Sequence, residues 1–242
     1  MISKKMFLHY FSEDCRYYDP QRRELKAILQ HVDVKGKRVL DIGTGIGRLA
    51  IPLAKYAREV VALDKEAVFK SCFKNCSKNV RFVHAKAENY LKTSRPFDIF
   101  LLTWPTFDFK FFSLLKNAMR KDGICVFTTC DNNSDWETIA DRVCPQNSKK
   151  FDNDISNKQR FLKEIPKKFN VIAKKKILTS YEYPDKSDAF RIIRHSLQIF
   201  FDIILNKEEK NRLRTLIDRR QRGKKVVFGE IVWLYVFKNK KQ

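Results

Sequence analysis

A glycine-rich turn between two short apolar segments constrains this chain of 242 residues more than any other feature. In order, the stretch comprises an apolar segment at 39–42 that includes Asp41, a turn at 43–47, a helical pattern at 48–57 and a second apolar segment at 60–63 that ends in Asp64. Short β-branched and aliphatic runs bounded by glycine predict buried strands. A strand, a glycine turn, a helix, a strand and a terminal acid make up a nucleotide-binding half-unit.

The spacing of the glycines distinguishes between two kinds of cofactor. The dinucleotide fingerprint is G-x-G-x-x-G, whereas here the third glycine, Gly47, comes one residue early and position 48 is arginine. With Asp41 two residues before Gly43, the turn reads Asp-x-Gly-x-Gly-x-Gly. This pattern resembles the signature of class I S-adenosylmethionine-dependent methyltransferases. The same spacing disfavours a nicotinamide-dependent dehydrogenase.

The resemblance covers residues 17–130 and implies the fold class and the domain organisation. We expect an α/β fold, a doubly wound, Rossmann-like three-layer sandwich whose seven-stranded sheet is mostly parallel with an antiparallel strand seven. A single methyltransferase domain would span 1–242, with a cofactor-binding half at 1–130. Residues 131–242 would complete the sheet, and inserted helices within 187–221 would cover the substrate. Such a cover is found in the quinone-biosynthesis and small-molecule groups of the family.

The resemblance also implies which residues bind S-adenosyl-L-methionine, with S-adenosyl-L-homocysteine as the product. The turn would wrap the methionine moiety, and Asp64 would accept hydrogen bonds from both ribose hydroxyls. Lys86 stands where the family commonly has an acid that binds the adenine amino group. Because lysine has no acceptor, the backbone near Ala87 or the carboxylate of Glu88 would replace that acid. The expected cofactor-binding residues are Asp41, Gly43, Thr44, Gly45, Gly47, Asp64, Lys65, Ala87, Glu88 and Thr103.

The acceptor side is less well defined by the sequence. Residues 97–103 predict a fourth strand, and the carboxyl ends of such strands face the ligand crevice. The residues that follow, Trp104-Pro105-Thr106-Phe107, do not match the Asn/Asp-Pro-Pro-Tyr/Phe motif of nucleobase amino methyltransferases. Trp104 is expected either to form a cation–π contact with the sulfonium or a substrate cation, or only to pack. The substrate candidates are Tyr18, Trp104 and Arg191.

No catalytic base can be assigned from the pattern alone. Among four histidines, His195 is the weak candidate because it lies on a predicted inserted helix beside Arg191 and Arg194. The alternative is a surface histidine without a role. A protein that binds the cofactor without catalysis is therefore a further hypothesis.

The net charge of +22 indicates a second kind of partner. Residues 1–130 and residues 131–242 each carry a net charge of +11, so the excess is spread over the chain. A basic protein attracts polyanions, and an RNA (rRNA or tRNA) methyltransferase is the alternative to our preferred small-molecule acceptor. Scattered lysines in a chain rich in Lys, Asn, Phe and Ile are equally explained as a solvated surface.

Composition excludes several other classes. Hydrophobic residues make up 43% of the chain, which argues against disorder. No apolar run approaches the roughly 18 residues of a membrane span, and the N-terminus lacks the apolar segment of a signal peptide, so we expect a cytoplasmic protein. Cys72 and Cys76 are spaced by one helical turn, but no second Cys or His pair completes a metal site. We therefore expect no metal.

Overall fold

The computed structural model describes residues 2–104, 111–130, 134–147, 162–167 and 169–239. The chain forms two compact units. Unit 1 comprises Met1–Arg23, Cys130–Gln159 and Ile177–Val232, and unit 2 comprises Glu24–Thr129, Arg160–Lys176 and Trp233–Gln242. Pro105, Thr106 and Phe107, which follow the predicted fourth strand and Trp104, lie outside the described residues. The single domain that the sequence predicts stays a prediction.

The strands follow the predicted order along the chain. They are β1 (Arg38–Ile42), β2 (Glu59–Asp64), β3 (Val80–His84), β4 (Phe97–Thr103), β5 (Met119–Cys130), β6 (Phe169–Tyr183), β7 (Gln221–Arg222) and β8 (Lys225–Asn239).

Helices alternate with the strands over the first half of the chain and cluster in the second. They are α1 (Lys4–Tyr17), α2 (Arg23–His31), α3 (Ala50–Leu53), α4 (Ala87–Thr93), α5 (Phe111–Ala118), α6 (Asp135–Val143), α7 (described over 162–167), α8 (Lys186–Phe201) and α9 (Lys207–Arg219). Two short 3₁₀ helices, Ala67–Phe73 and Pro145–Asn147, complete the set among the described residues.

The strands form one sheet in the order β3-β2-β1-β4-β5-β8-β6, with β7 paired to β8. The neighbouring strands β3, β2, β1, β4 and β5 pair in parallel, and β7 is antiparallel to β8. The last long strand of the chain, β8, lies between β5 and β6. The α/β fold class is confirmed. The described sheet has eight strands instead of the seven expected, because the two-residue β7 is added to it.

The core of unit 2 explains why its strands are continuous apolar runs. Strands that are covered on both faces lose the alternation of apolar and polar residues. All of β2 after Glu59 is buried, and Phe100, Leu101 and Leu102 in β4 are fully inaccessible. The buried cluster around Leu40 and Phe100 includes residues from β1, β2, β4, β5 and β8.

Unit 1 is held together by its helices. The N-terminal residues, in which the sequence shows only a mixed aromatic lead, form α1, capped by the Ser3 side chain. Within this unit α1 packs on α8, and α9 packs on both α6 and α8. Helix α9 begins with a capping box in which the side chains of Asn206 and Glu209 each accept from the other's backbone N–H. None of the described helices combines the length and apolar content that a membrane crossing needs.

Two predicted elements have different bounds in the structure. The helix after the glycine turn covers Ala50–Leu53 instead of 48–57. Pro52 has no N–H to donate to the Arg48 carbonyl, and the residues after Leu53 form turns. The sequence predicts a helix over 109–121 and a fifth strand over 124–129, but strand β5 begins at Met119. Met119 pairs with Phe97 at the start of β4, so three residues that the sequence predicts as helix belong to the sheet.

Gly47 is a position of the turn where a side chain would overlap its neighbours. Its φ is +83°, and a Cβ would lie 2.8 Å from side-chain atoms of both Ile51 and Phe73. Gly36 has a similar φ, +67°, but no atom lies within 4 Å of the position of its missing Cβ. Comparing alanine substitutions at Gly47 and Gly36 therefore distinguishes the cost of backbone strain from the cost of steric overlap.

We expect Gly47→Ala to lower the free energy of unfolding by about 2–5 kcal/mol, as the left-handed backbone costs about 1–2 kcal/mol and overpacking a further 1–3 kcal/mol. Gly36→Ala should cost only the backbone strain. Urea denaturation of both variants measures the difference. Equal losses in the two variants would show that Ile51 and Phe73 move aside without cost.

Candidate cofactor site

The glycine turn begins as a continuation of the pairing between β1 and β2 in unit 2. The two strands are in parallel register, with Ile42 opposite Leu63. The carbonyl of Leu63 accepts two hydrogen bonds, from the N–H of Gly43 at 2.8 Å and of Thr44 at 3.1 Å. The turn is therefore fixed to the carboxyl edge of the sheet, at which Asp41 and Asp64 also lie.

Asp41 is a buried carboxylate at this edge, with 2% of its surface exposed. Its Oδ2 accepts a hydrogen bond of 2.8 Å from the hydroxyl of Thr44, whereas its Oδ1 has no hydrogen-bond partner among the described residues. Burial raises the pKa of Asp41 from 3.8 to about 6, although the Thr44 hydrogen bond, the charge of Arg48 and the backbone N–H of Ala50 oppose the rise. An incompletely satisfied buried carboxylate is a place where a cationic ligand can bind.

Asp64, the last residue of β2, connects the turn to the chain that follows the strand. Its Oδ2 accepts from the N–H of Gly45 and its Oδ1 from the N–H of Glu66, both at 2.9 Å. Burial raises the pKa of this carboxyl, and the two backbone hydrogen bonds counteract that rise. Each carboxylate oxygen has more than one acceptor position, so both oxygens can still accept from a ligand. Lys65 follows as an exposed side chain.

The residues expected around adenine lie at the junction of β3 and α4. Lys86 is the N-cap of α4, and its side chain makes no capping hydrogen bond. Ala87 is half-buried and Glu88 is exposed in the first helical turn. The N–H of Ala85 donates to the Asp64 carbonyl at 3.0 Å, so this junction begins directly beside the carboxyl end of β2.

The carboxyl end of β4 carries Thr103, which is half-buried and opposite Thr128 of β5. Thr128 is fully buried, and its hydroxyl has no hydrogen-bond partner among the described residues. Trp104 follows with a left-handed backbone, φ +54°, and its N–H donates to the Thr128 carbonyl at 3.1 Å. Such a conformation is uncommon for a bulky residue and costs free energy.

A buried carboxylate holds Trp104 in place. The indole N–H of Trp104 donates to Oε1 of Glu24 at 3.0 Å, and Arg48 forms an ion pair with Oε2 of the same residue. Glu24 is fully buried on α2, whereas 37% of the Trp104 surface is exposed. One acid thus connects the residue after the glycine turn with the residue after β4, and the tryptophan ring presents an aromatic surface.

Sequence reasoning did not identify Glu24 or Arg48 as part of this arrangement. The only available signal was that Glu24 precedes Ile28 by four residues on α2. Residues four apart share a helix face, so a charged residue on the apolar face called for a partner. That partner could not be named because Trp104 lies 80 positions further along the chain.

Three other sequence candidates lie in unit 1. Tyr18 is buried, forms an antiparallel bridge with Tyr181 and packs its ring against it at 4.9 Å. Arg191 forms ion pairs with Glu13 at 2.5 Å and Asp188 at 2.7 Å. These hydrogen bonds raise the pKa of Arg191 further above its usual range.

His195 also lies in unit 1, and it is buried instead of on the surface. Its ring stacks on Tyr10 at 3.7 Å, and its Nε2 lies 3.1 Å from a guanidinium nitrogen of Arg194. Because a guanidinium can only donate, Nε2 is the acceptor and Nδ1 carries the proton. Burial, reinforced by Arg194 and Arg191, lowers the pKa of His195 to about 4, so the ring is neutral and only a weak base at neutral pH.

Within the described ranges, no group of three or more His, Cys, Asp or Glu side chains could hold a metal ion. Cys72 and Cys76 are free thiols, and the Cys76 thiol points to the Cys72 carbonyl at 3.7 Å. Burial raises the pKa of both thiols, which keeps them protonated.

Comparisons with known proteins are consistent with this geometry. A family model described as a methyltransferase domain matches residues 33–231. The structure is similar to a putative methyltransferase from Bacillus halodurans C-125, which is 18% identical, with coverage of 90% of this chain and 99% of that chain and a TM-score of 0.60. It is also similar to the YcgJ protein from Bacillus subtilis, 16% identical, with coverage of 90% and 98% and a TM-score of 0.57.

One curated protein matches a short part of the chain. It is the probable ribosomal RNA small subunit methyltransferase A of Methanosphaera stadtmanae, 36% identical over 52 residues. The matched segment is 21% of this chain and spans only 19% of that relative.

The family match covers most of the chain and includes the glycine turn, both strand-end acids and the carboxyl end of β4. The chain therefore belongs to the methyltransferase-domain family, and its α/β fold is the one that the sequence resemblance predicts.

Proposed function

We propose that the protein transfers the methyl group of S-adenosyl-L-methionine to a small-molecule acceptor by in-line displacement. The observation that carries the choice of donor is the buried Oδ1 of Asp41, which has no hydrogen-bond partner among the described residues. The donor carries an ammonium group on its methionine moiety and a positive sulfur. A buried carboxylate attracts such a cation and would repel the pyrophosphate of a dinucleotide.

In this proposal, residues of unit 2 contact each part of the donor in turn. The turn with Gly43, Thr44, Gly45 and Gly47 wraps the methionine moiety, and Asp41 binds its ammonium group. Asp64 accepts from the ribose hydroxyls with the acceptor positions that Gly45 and Glu66 leave available. Lys65, Ala87 and Glu88 border the adenine, and Thr103 lies beside the transferred methyl group.

When bound, the donor supplies an electrophilic methyl group on a positively charged sulfur. The contribution of the chain is then mainly to position donor and acceptor, which is worth about 7–11 kcal/mol of the barrier at most. Trp104 is our acceptor-side residue, because Glu24 fixes its ring beside Thr103. The low pKa of His195 makes it a poor general base at neutral pH, and we assign no base. Tyr18 and Arg191 stay predictions.

A second candidate function is methyl transfer to RNA. Two observations favour it: the net charge of +22 and the 52-residue match to a probable ribosomal RNA methyltransferase. The sequence Thr103-Trp104-Pro105 does not match the acceptor motif of nucleobase amino methylation, which is why we rank the small-molecule acceptor first.

The ribose-binding role of Asp64 can be tested by calorimetry. We expect Asp64→Ala to weaken binding of S-adenosyl-L-methionine by about 1.5–3 kcal/mol, the typical worth of hydrogen bonds to a charged group. Asp122→Ala is the matched control, since Asp122 is an exposed acid whose partner is Lys238. Unchanged donor affinity in an Asp64→Ala protein that still melts cooperatively would discard the assignment.

If Asp41 binds the ammonium group, replacing it should raise the free energy of unfolding and lower the affinity for the donor. Because folding raises the pKa of Asp41 from 3.8 to about 6, its ionisation destabilises the folded state increasingly from about pH 4 to pH 6. Asp41→Asn removes this cost, so without ligand the variant should be about 2–3 kcal/mol more stable than the wild type at pH 8. At pH 4 the gain should nearly vanish.

The same Asp41→Asn protein should bind the donor about tenfold or more weakly at pH 8, because the carboxylate that pairs with the ammonium is gone. Denaturant titration at pH 4 and pH 8 checks the predicted stability of Asp41→Asn, and calorimetry at pH 8 checks its predicted donor affinity. A variant that binds the donor as tightly as the wild type contradicts the ammonium contact, whatever its stability.

Transfer of label decides between the two acceptor classes. The protein is incubated with methyl-tritiated donor and separately with extracted metabolites and with total RNA, and Asp64→Ala serves as the low-activity control. We expect label in the metabolite fraction that depends on the wild-type protein. Label in RNA alone would overturn our first choice and support the second.

A further inference from the structure

Unit 2 has an arginine-lined cavity at the edge of the sheet opposite the glycine turn. The cavity has a volume of about 700 Å³ and is open to solvent. Its charged lining residues come from the starts of the strands or from the residues just before them, and they are Arg38, Arg58, Glu59, Arg81, Arg95 and Arg120. We call this cavity the arginine pocket. Five guanidinium groups thus surround a single lining carboxylate.

One of the five arginines, Arg38, is engaged in contacts within the fold. The side chain of Arg38 is 12% exposed and pairs with Glu59 at 2.6 Å. It also donates to the carbonyls of Arg95 and Pro96 and lies over the ring of Phe97 at 4.1 Å. Arg38 and the carboxylate of Glu59 are therefore paired with each other.

The other arginines are exposed and weakly paired. Arg81 lies 3.9 Å from Glu59 and Arg120 lies 3.3 Å from Asp98, and each arginine side chain is 54% exposed. Arg58 and Arg95 are exposed, and no partner among the described residues contacts either guanidinium group. The pocket therefore has an excess of positive charge directed at solvent.

Ser94 adds a second, uncharged group to the pocket. Its hydroxyl is buried and has no hydrogen-bond partner among the described residues, and the residue lines the same cavity. A hydroxyl donates readily to a phosphate oxygen, and arginine binds phosphate through two parallel N–H···O bonds. Serine and arginine together favour a phosphate-bearing ligand.

The exposure of the arginines decides what kind of phosphate ligand fits. An exposed ion pair is worth at most about 1 kcal/mol and is screened by salt, so a single small phosphate would gain little here. A polyanion makes several such contacts at once and releases counterions from each. We propose that the arginine pocket binds the phosphate backbone of a nucleic acid.

This proposal goes beyond the proposed function, because it concerns the opposite edge of the sheet and does not depend on which molecule accepts the methyl group. Binding is measured without donor or methyl transfer. A failure of the nucleic-acid contact and a failure of the small-molecule assignment therefore remain distinguishable.

The test is fluorescence anisotropy with a labelled 20-nucleotide single-stranded RNA, and the same sequence as DNA, over a series of salt concentrations. The variant is Arg58→Ala/Arg95→Ala. The matched control, Lys70→Ala/Lys74→Ala, removes the same charge from exposed residues near the carboxyl side of β2. Inorganic pyrophosphate is titrated as a competitor to detect a site for small phosphates.

We expect the arginine variant to bind RNA at least about tenfold more weakly than the wild type at low salt, and the lysine control less than threefold more weakly. The slope of log affinity against log salt should become shallower by about 1.4 in the arginine variant, as for the loss of two phosphate contacts to a single strand. Equal losses of RNA affinity in both variants would overturn the proposal and show that RNA is attracted by the overall positive charge of the protein. Full displacement of RNA by micromolar pyrophosphate would overturn it in favour of a small-phosphate site.

Discussion

The carbonyl oxygen of Leu63 fixes the geometry on which the donor site depends. It accepts from the N–H groups of Gly43 and Thr44, so the turn leaves β1 in a direction set by the neighbouring strand. Asp64 then follows Leu63 directly and accepts from the N–H of Gly45. The two strand ends and the turn form one hydrogen-bonded unit, and any ligand in the turn therefore meets both acids of the edge at fixed positions.

The same edge contains buried charge that contributes little to stability. Glu24 is fully buried between Arg48 and Trp104, and removing carboxylates and guanidinium groups from water costs several kcal/mol per ion before pairing offsets it. Trp104 adds the strain of a left-handed backbone. Strain and buried charge at the end of a strand are features of functional sites. Their joint presence after β4 is the structural reason for placing the acceptor there.

The sequence predicted most accurately those elements that are determined by local pattern. Strand β4 has the predicted bounds, Phe97–Thr103, because a run buried on both faces and bounded by polar residues leaves little ambiguity. The helix after the turn is shorter than predicted and ends at Leu53, because apolar spacing alone does not distinguish a helix from the turns that follow it here. The hydrogen bond of Glu24 with Trp104 and the ion pair of Arg191 with Glu13 each join residues far apart in the chain. Nothing in the spacing of the sequence could indicate them.

Parallel strands separate the two charged edges of unit 2. All strand starts meet at one edge and all strand ends at the other, so arginines at the starts and acids at the ends form an amino edge that is basic and a carboxyl edge that is acidic. The four steps from Arg38 to Ile42 in β1 rise about 13 Å at about 3.3 Å per residue. This separation exceeds the Debye length of about 8 Å at physiological salt. The exposed arginines of the basic edge therefore interact only weakly with a ligand in solvent at the carboxyl edge, and a cationic donor and a polyanion can each meet a complementary potential on the same sheet.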